Sequence, residues 1–228
     1  MIPKTSENKP RAAKAEKRIP GIRLFLNERI ILVNLILLTT IWVVVTFNYY
    51  MISLQVKYLP GTFENNMLAM VASDIPAALF AGILIRYGYK PRTLIACYML
   101  FSALAALIML LFVDIENSGI EMPILTASAR IGCSATFVTL YLTHPDLFPT
   151  LFAVTSIGIA NFACRAFVIP APLIAEIDYP KPMILFFALN MIAFISCLGI
   201  NDDMNEIKKV EKKLTKQMAL EDKDNLEA

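Results

Sequence analysis

The chain of 228 residues is 57% hydrophobic and 18% charged, with a mean hydropathy of +0.60. This composition is too apolar for a domain of that size in water, so it excludes a water-soluble protein. The net charge of +2, from 21 basic and 19 acidic residues, carries little information until the positions of the charges are considered.

Six apolar runs come close to the length of about 20 residues that a helix needs to cross a bilayer. The sequence therefore predicts an all-α membrane protein, a six-helix transmembrane bundle. The predicted spans are 30–54, 64–85, 93–113, 122–143, 151–175 and 183–200. Residues 1–29 form a basic tail, residues 30–200 the transmembrane domain and residues 201–228 a second tail. Within the spans, Pro76, Pro170 and Pro172 predict kinks.

The basic residues divide unevenly between the two sides of the predicted bundle. Seventeen lie in the two tails and in the connection between the second and third spans, whereas only Lys57 and Lys181 lie in the opposite connections. The six spans predict an integral, multi-pass protein, and their even number places both termini on the same side. The positive-inside bias predicts that this side is cytoplasmic. The sequence does not indicate which membrane it occupies.

The carboxyl-terminal tail carries apolar residues at helical spacing: Met204, Ile207, Val210, Leu214 and Met218. This pattern predicts a short amphipathic helix that lies on the membrane surface or against a partner. A helix exposed to solvent is the alternative.

Charged residues inside the spans are the main functional signal. A charge at the centre of a span costs about 2.5–3.5 kcal/mol on insertion scales and marks a functional site by default. Asp74, Arg130 and Arg165 lie in spans two, four and five, which are expected to face the interior, whereas the charge-free spans three and six are expected to face lipid. Arg165 is expected to attract a substrate carboxylate that Asp74 tunes or couples, or the two residues form a structural ion pair; these two interpretations do not exclude each other.

Polar and aromatic residues near these charges extend the candidate site. Asn161 lies one helical turn before Arg165, and Asn48, Tyr49 and Tyr50 cluster late in the first span. The tyrosines are alternatively part of an interfacial aromatic belt. His144, at a helix end, is expected to be a surface cap rather than a proton-coupling group. The candidate substrate-binding residues are Tyr49, Tyr50, Asp74, Arg130, Asn161 and Arg165.

The connection after the second span, GILIRYGYKPRT, is a short basic turn in which Gly88 permits a left-handed conformation and Pro91 opens the next helix. It resembles the DRxGRRP loop of the major facilitator superfamily, with matches at Arg86, Gly88, Lys90 and Pro91. Ile85 stands where the family has an acid.

Further segments narrow this resemblance to organic ion transporters. FNYYMISL resembles the aromatic end of their seventh helix, and SDIPA resembles their VEIPA, which places Asp74 at a cavity position. YLTHPDLFPT resembles YTxELFPT, so Asp146 and Pro149 match the residues of a gating motif. Ala153 replaces an arginine of that motif.

The fifth span favours anions. NFACRAFVIPAPLIAEIDYP resembles the MARxGSIxSPL and AExYP patterns of organic anion transporters, in which an arginine replaces the aspartate of the cation carriers. The matching residues are Arg165, Pro172, Glu176, Tyr179 and Pro180.

The resemblance covers about residues 24–200 and only the carboxyl half of a fold built from two six-helix halves. It implies a half-size secondary transporter of small organic ions that works in membrane lipid when paired with a second six-helix half. That half would be a second copy, a separate chain or the rest of a longer protein. A non-transporting accessory subunit of a membrane complex is the alternative, which the residues at Ile85 and Ala153 favour.

The sequence contains no nucleophile–base pair, metal-ligand cluster or phosphate-binding loop. We therefore expect no enzymatic activity and no cofactor. The basic residues lie beside the spans, so nucleic-acid binding is not expected either.

Overall fold

The computed structural model describes residues 28–58, 62–112, 121–178 and 180–227. Most of the predicted amino-terminal tail, Val113 at the end of the third span and the motif residue Tyr179 lie outside this range. Within it the chain forms α-helices and two 3₁₀ turns, and no β-strand. The α-helices are α1 (Arg29–Gln55), α2 (Phe63–Arg86), α3 (Pro91–Phe112), α4 (Glu121–Thr143), α5 (Thr150–Val168), α6 (Ala171–Ala175), α7 (Lys181–Leu198) and α8 (Met204–Glu227).

The predicted fold class, an all-α membrane helix bundle, is confirmed. Among the described residues, five helices are long and apolar enough to cross a membrane, and α5 is a shorter apolar helix. The fifth span, predicted as one run over 151–175, is instead divided into α5 and α6. A proline ring inside a helix clashes with the carbonyl four residues earlier, so the helix ends before Pro170. Pro76, by contrast, lies within the unbroken α2.

The helices α1 and α4 form the centre of the bundle and pack against each other. α1 also packs on α5, α6 and α7, and α4 packs on α2 and α3. α2 packs mainly on α4, and α5 packs mainly on α1. α3 and α7 contact each other. Each triplet of spans thus places its second helix on the first helix of the other triplet, which is the pattern of a nested repeat.

A buried polar network fastens four of these helices. Asn48 of α1 donates to Asn190 Oδ1 of α7 at 3.1 Å, and Asn190 donates to Ser102 Oγ of α3 at 3.3 Å. Ser102 donates in turn to the Ala129 carbonyl of α4 at 2.8 Å. Polar side chains hold membrane helices together because lipid offers them no partners. Asn48, expected beside the substrate, is fully buried in this network instead.

The prediction that charged spans face the interior and charge-free spans face lipid is wrong for α2 and α3. Only 22% of the most apolar window of α2 is buried, against 50% in α3, although α2 carries Asp74 and α3 carries no charge inside the membrane. α2 buries a narrow seam in which Ala77 and Ala81 pack on Ala135 of α4. Small residues allow this close helix approach, and the rest of α2 stays exposed.

The turn between α2 and α3 has the predicted geometry. Gly88 has a φ of 82° and donates its amide to the Ile85 carbonyl at 2.9 Å, while the Tyr89 amide reaches the Leu84 carbonyl at 3.3 Å. These two bonds form a Schellman motif, which needs a left-handed residue after the helix. α3 then begins at Pro91, as expected.

The tail helix α8 packs on the bundle itself. Its Leu214 and Ile207 are buried, and the Glu211 carboxylate accepts hydrogen bonds from the Thr150 amide at 3.2 Å and from the Thr150 hydroxyl at 2.9 Å. Lys213 pairs with Glu28 at 2.5 Å. Ile207, Val210 and Leu214, three of the apolar residues predicted to meet a membrane surface or a partner, are therefore at least partly buried in the chain itself, where α8 bonds to the starts of α1 and α5. We call this end of the molecule the α8 end; it also carries the α2–α3 turn.

Candidate functional site

Two stripes of polar and aromatic side chains face each other across the α1–α4 contact. In each stripe the residues follow the spacing i, i+4, i+7 and i+11, which places them on one face of a helix. The stripe on α1 consists of Trp42, Thr46, Tyr49 and Ser53, and that on α4 of Arg130, Ser134, Phe137 and Tyr141. The Trp42 ring lies 4.5 Å from the Tyr141 ring between centroids, and the Tyr49 ring 5.6 Å from the Phe137 ring.

Arg130 is held by a dense set of partners. Its guanidinium donates to both oxygens of Asp74, from Nε at 3.2 Å and from Nη2 at 2.9 Å. It also donates to the Tyr49 hydroxyl at 2.6 Å and to the Ser53 hydroxyl, and it stacks 4.1 Å from the centroid of the Tyr49 ring. Bidentate arginine–carboxylate pairs are among the strongest side-chain interactions. We call these residues, with Ser134, the Arg130 cluster.

The Asp74 carboxylate is equally well satisfied. Besides Arg130, it accepts hydrogen bonds from the Ser134 hydroxyl at 2.5 Å and from the Tyr49 hydroxyl at 3.1 Å. The Arg130 side chain is 7% exposed and that of Asp74 is 33% exposed. The two opposite charges therefore cancel at a largely buried position, and the Arg130 cluster carries no net charge.

The ion pair considered between Asp74 and Arg165 does not occur among the described residues. Asp74 pairs with Arg130 because α2 packs on α4, whereas α5, which carries Arg165, packs on α1. Arg165 lies 15 residues, about 22 Å, from the start of α5, and Asp74 lies 12 residues, about 18 Å, from the end of α2. Both ends belong to the α8 end, so the two charges lie at similar depths, as the nested repeat predicts.

Arg165 is exposed and has no acidic partner in the described part of the chain. Its Nη1 donates to the Tyr50 hydroxyl at 3.4 Å, a long hydrogen bond. It borders a space of about 180 Å³, the aromatic hollow, which Asn161 also lines. The aromatic walls of the hollow are Trp42, Tyr49, Tyr50, Phe137 and Tyr141.

The two arginines are connected through neighbouring tyrosines. Tyr50 contacts Arg165, Tyr49 contacts Arg130, and the two tyrosine rings meet edge to face with centroids 5.7 Å apart. Tyr49 also lines the aromatic hollow. The compensated pair Arg130–Asp74 and the uncompensated Arg165 thus lie on either side of Tyr49 and Tyr50.

The other predicted residues take different places. Asn161 is half-buried and donates to the Ile157 carbonyl at 3.0 Å while lining the aromatic hollow. Glu176 lies at the end opposite α8, where it pairs with Lys57 at 3.2 Å in an exposed ion pair of a kind that contributes little. Asp146 is exposed, and Pro149 is buried just before α5. The loop residues Arg86, Gly88 and Lys90 are exposed at the α8 end, far along the helices from the aromatic hollow.

His144 is a core residue, and its prediction as a surface cap was wrong. The Trp42 indole donates to His144 Nδ1 at 3.2 Å, and His144 Nε2 lies 2.8 Å from the Ser156 hydroxyl, which donates to the Ala153 carbonyl. These partners assign a neutral imidazole with its proton on Nε2. His144 is fully buried, with the Phe148 ring 5.0 Å and the Trp42 ring 6.2 Å away between centroids, and it joins α1, α4 and α5.

Several site residues were missed in the sequence, although a signal was present. Ser53 follows Tyr49, and Ser134 follows Arg130, at the i+4 spacing that puts both members of a pair on one helix face. The aromatic residues Phe137 and Tyr141 continue the stripe of Arg130. A search for residues in phase with each intramembrane charge would have found them.

Comparisons with known proteins agree with the fold. No protein-family model matches the chain. It is similar to solute carrier family 22 member 21 of Mus musculus, with 22% identity over 210 residues that cover 86% of this chain and 35% of the relative. Organic anion transporter 3 of Oryctolagus cuniculus is 25% identical over 172 residues, which cover 74% of this chain and 31% of the relative. Organic cation/carnitine transporter 2 of Mus musculus is 24% identical over 175 residues, which cover 75% and 30%.

The bundle and its intramembrane charges define a multi-pass, all-α membrane protein. The chain is related to the organic ion transporters of solute carrier family 22. These relatives confirm the resemblance to organic ion transporters that the motifs predict. The chain spans about a third of the length of the curated relatives it matches. Their names include both anion and cation carriers.

Proposed function

We propose that this chain forms one half of a transporter for small organic ions, with anions favoured, and that it works when a second six-helix half covers the face bearing Asp74 and Arg165. The observation that carries the proposal is the unpaired Arg165 at the edge of the aromatic hollow. A charge inside a membrane faces a water-filled cavity or a partner, because lipid cannot solvate it.

The preference for anions follows from the balance of charge. Arg130 and Asp74 neutralise each other, so the charge left over at this face is the cation of Arg165. A carboxylate or sulfonate would pair with its guanidinium, and the neighbouring rings would pack on the apolar body of the ligand. Tyr50 would hold the guanidinium in position.

The need for a second half follows from size and exposure. The aromatic hollow of about 180 Å³ is smaller than the roughly 300–1,000 Å³ of most ligand sites. A hollow of this volume is what one half would contribute to a larger cavity shared with a second half. The second half would be supplied by a second copy, a separate chain or further sequence of a longer protein.

The proposal is tested by binding of two matched probes to the purified chain in nanodiscs. Benzenesulfonate carries a fixed negative charge on an aromatic ring, and phenyltrimethylammonium carries a fixed positive charge on the same ring. We expect benzenesulfonate to bind more tightly, Arg165→Gln to abolish the difference, and Lys181→Gln, which removes an exposed cation elsewhere, to leave it unchanged. Equal binding of both probes by the wild type would refute the anion preference.

The pairing is tested by native mass spectrometry of the 25.5 kDa chain released from nanodiscs. A species of about twice that mass, or a stoichiometric complex with another membrane chain, is expected. Uptake of benzenesulfonate into vesicles should then require that complex. A strict monomer that transports the probe would contradict the half-transporter.

A non-transporting accessory subunit is the second candidate. It is favoured by Ile85 and Ala153, which stand where the family loop has an acid and the gating motif has an arginine. This candidate predicts a stoichiometric complex that neither binds nor transports either probe.

We further propose that the α8 end is cytoplasmic, because the basic residues concentrate there. Single cysteines introduced at Lys90 and Lys208 should resist an impermeant maleimide in intact cells, whereas one at Lys181 should react. The reverse pattern would invert the topology.

A further inference from the structure

A second hollow lies between the start of α3 and the end of α7, on a part of the bundle that shares no residue with the aromatic hollow. It encloses about 380 Å³ and is bordered at the α8 end by Lys90, Arg92 and Asp202. We call it the headgroup groove. The side chains of Lys90 and Asp202 have no hydrogen bond or ion pair within the described residues, so both charges are available to a ligand.

Arg92 is fixed in place while most of its donors stay free. It donates from Nη2 to the Leu198 carbonyl at the end of α7, and the Cys197 thiol donates to the Arg92 carbonyl at 3.0 Å. A guanidinium has five N–H donors, so one bond to a carbonyl leaves others for an anion. Arg92 is therefore positioned before any ligand arrives.

The wall of the headgroup groove is apolar and continues toward the membrane interior. On α3 it is formed by Ala96, Cys97 and Leu100, which extend over about 10 Å from Thr93, and on α7 by Phe194 and Leu198. Leu100 and Leu198 are 38% and 49% exposed. The groove thus combines charges at one end with an exposed apolar channel that starts from them.

We propose that the headgroup groove binds a phospholipid with a primary amine, of which phosphatidylethanolamine is the simplest. The phosphate would pair with Lys90 and Arg92, the ammonium would donate to Asp202, and one acyl chain would lie along Leu100, Phe194 and Leu198. Phosphatidylglycerol would place a neutral glycerol there, so no positive charge would pair with Asp202. A choline headgroup has no N–H to donate, so it would lose the bond to Asp202. This proposal does not depend on the transport function.

The test is native mass spectrometry of the full chain in nanodiscs that hold equimolar phosphatidylethanolamine and phosphatidylcholine with identical acyl chains. We expect retained phosphatidylethanolamine to exceed phosphatidylcholine about fivefold, the ratio that one hydrogen bond of about 1 kcal/mol produces. Asp202→Asn should bring this ratio close to one, and Lys90→Gln should reduce retention of both lipids. Each variant changes an exposed or half-buried side chain without a protein partner, so folding should persist.

Matched controls separate this site from general charge effects. Asp178→Asn and Lys181→Gln remove an exposed acid and an exposed base at the opposite end, and both should leave the lipid ratio unchanged. Equal retention of the two lipids by the wild type, or stronger retention of phosphatidylglycerol, would overturn the proposal. Displacement of the lipid by millimolar soluble phosphoethanolamine would show that the headgroup alone is recognised and would overturn the role of the apolar wall.

Discussion

The two arginines inside the spans lie on either side of one aromatic wall, yet their surroundings differ in almost every respect. Arg130 is 7% exposed and bonded to a carboxylate and two hydroxyls, whereas Arg165 is exposed and makes one long bond to a tyrosine. The first environment compensates the charge at the cost of its availability to a ligand. The second leaves the charge available to a ligand. Burial and bonding thus distinguish a compensated charge from an available one, although both are arginines in a span.

The helices that carry the two arginines differ in the same way. At Gly132 of α4, an added Cβ would lie 2.7 Å from both the Ser102 Cβ and the Tyr98 carbonyl oxygen, whereas at Gly158 of α5 it would meet nothing within 4 Å. α4 is therefore locked against α3, and α5 has free space beside it. The contrast is local: Gly132 is buried at a close helix contact, whereas Gly158 lies on the exposed face of a helix whose other face is buried at Ser156 and Ala160.

The largest effect is expected for Arg130→Ala. Breaking a buried ion pair costs about 3–5 kcal/mol, and we expect the lower end because a third of Asp74 is exposed. The free energy of unfolding in mixed micelles, from denaturant titration, measures it. Adding Asp74→Ala should recover part of the loss, since no unpaired carboxylate remains. A single variant as stable as the wild type would remove the basis of the comparison.

Gly132→Ala is expected to destabilise the bundle by about 1–3 kcal/mol, because overpacking forces α3 and α4 apart. Gly158→Ala is its matched control and should leave stability unchanged or raise it by up to about 1 kcal/mol, since alanine favours helix more than glycine. Thermal unfolding of the two variants in the same detergent provides the measurement. Similar losses in both would show that α5 is as tightly packed as α4.

Trp42→Phe should cost about 1–3 kcal/mol, because it leaves His144 Nδ1 buried without its donor. Tyr141→Phe is a useful control, since it keeps the ring beside Trp42 and removes only an exposed hydroxyl. Thermal unfolding should separate the two variants. Equal stability of Trp42→Phe and the wild type would mean that the indole bond contributes nothing to the α1–α4 contact.

The smallest effect on stability is expected for Arg165→Gln, within about 0.5 kcal/mol, as for other surface substitutions. The same variant should have the largest effect on benzenesulfonate binding. Its unfolding and binding, compared with those of Arg130→Ala, measure the contrast directly. A loss of stability as large as that of Arg130→Ala would assign Arg165 a structural role.

Much of the fold could be predicted from the sequence because length and hydropathy decide which segments span a bilayer. Five of the six spans agree with helices to within two residues at each end. The fifth does not, since hydropathy ignores backbone hydrogen bonding and Pro170 ends α5. The left-handed Gly88 was predictable because its chemistry is local.

The pairing of the charges could not be predicted in the same way. Asp74 had two arginines within spans to choose from, and the choice depends on which helix α2 packs against, a property of the tertiary structure. The buried hydrogen bond that His144 accepts likewise comes from Trp42, which lies 102 residues away in the chain. In a membrane protein, local sequence indicates where charges lie, and helix packing decides what they bind.

The contacts of α8 have a mechanical consequence for the arginine that is free. Glu211 holds the first residue of α5, and Lys213 holds the residue before α1, so this tail bridges the ends of the two helices that border Arg165. About 22 Å of α5 separates the contact with Glu211 from Arg165, so a shift at the start of α5 would move Arg165 as well. Of these contacts only the Lys213–Glu28 pair, among the described residues, joins two opposite charges, and high salt weakens an exposed pair of that kind. Salt on the α8 side would thus loosen the hold of α8 on α1, the helix whose Tyr50 contacts Arg165.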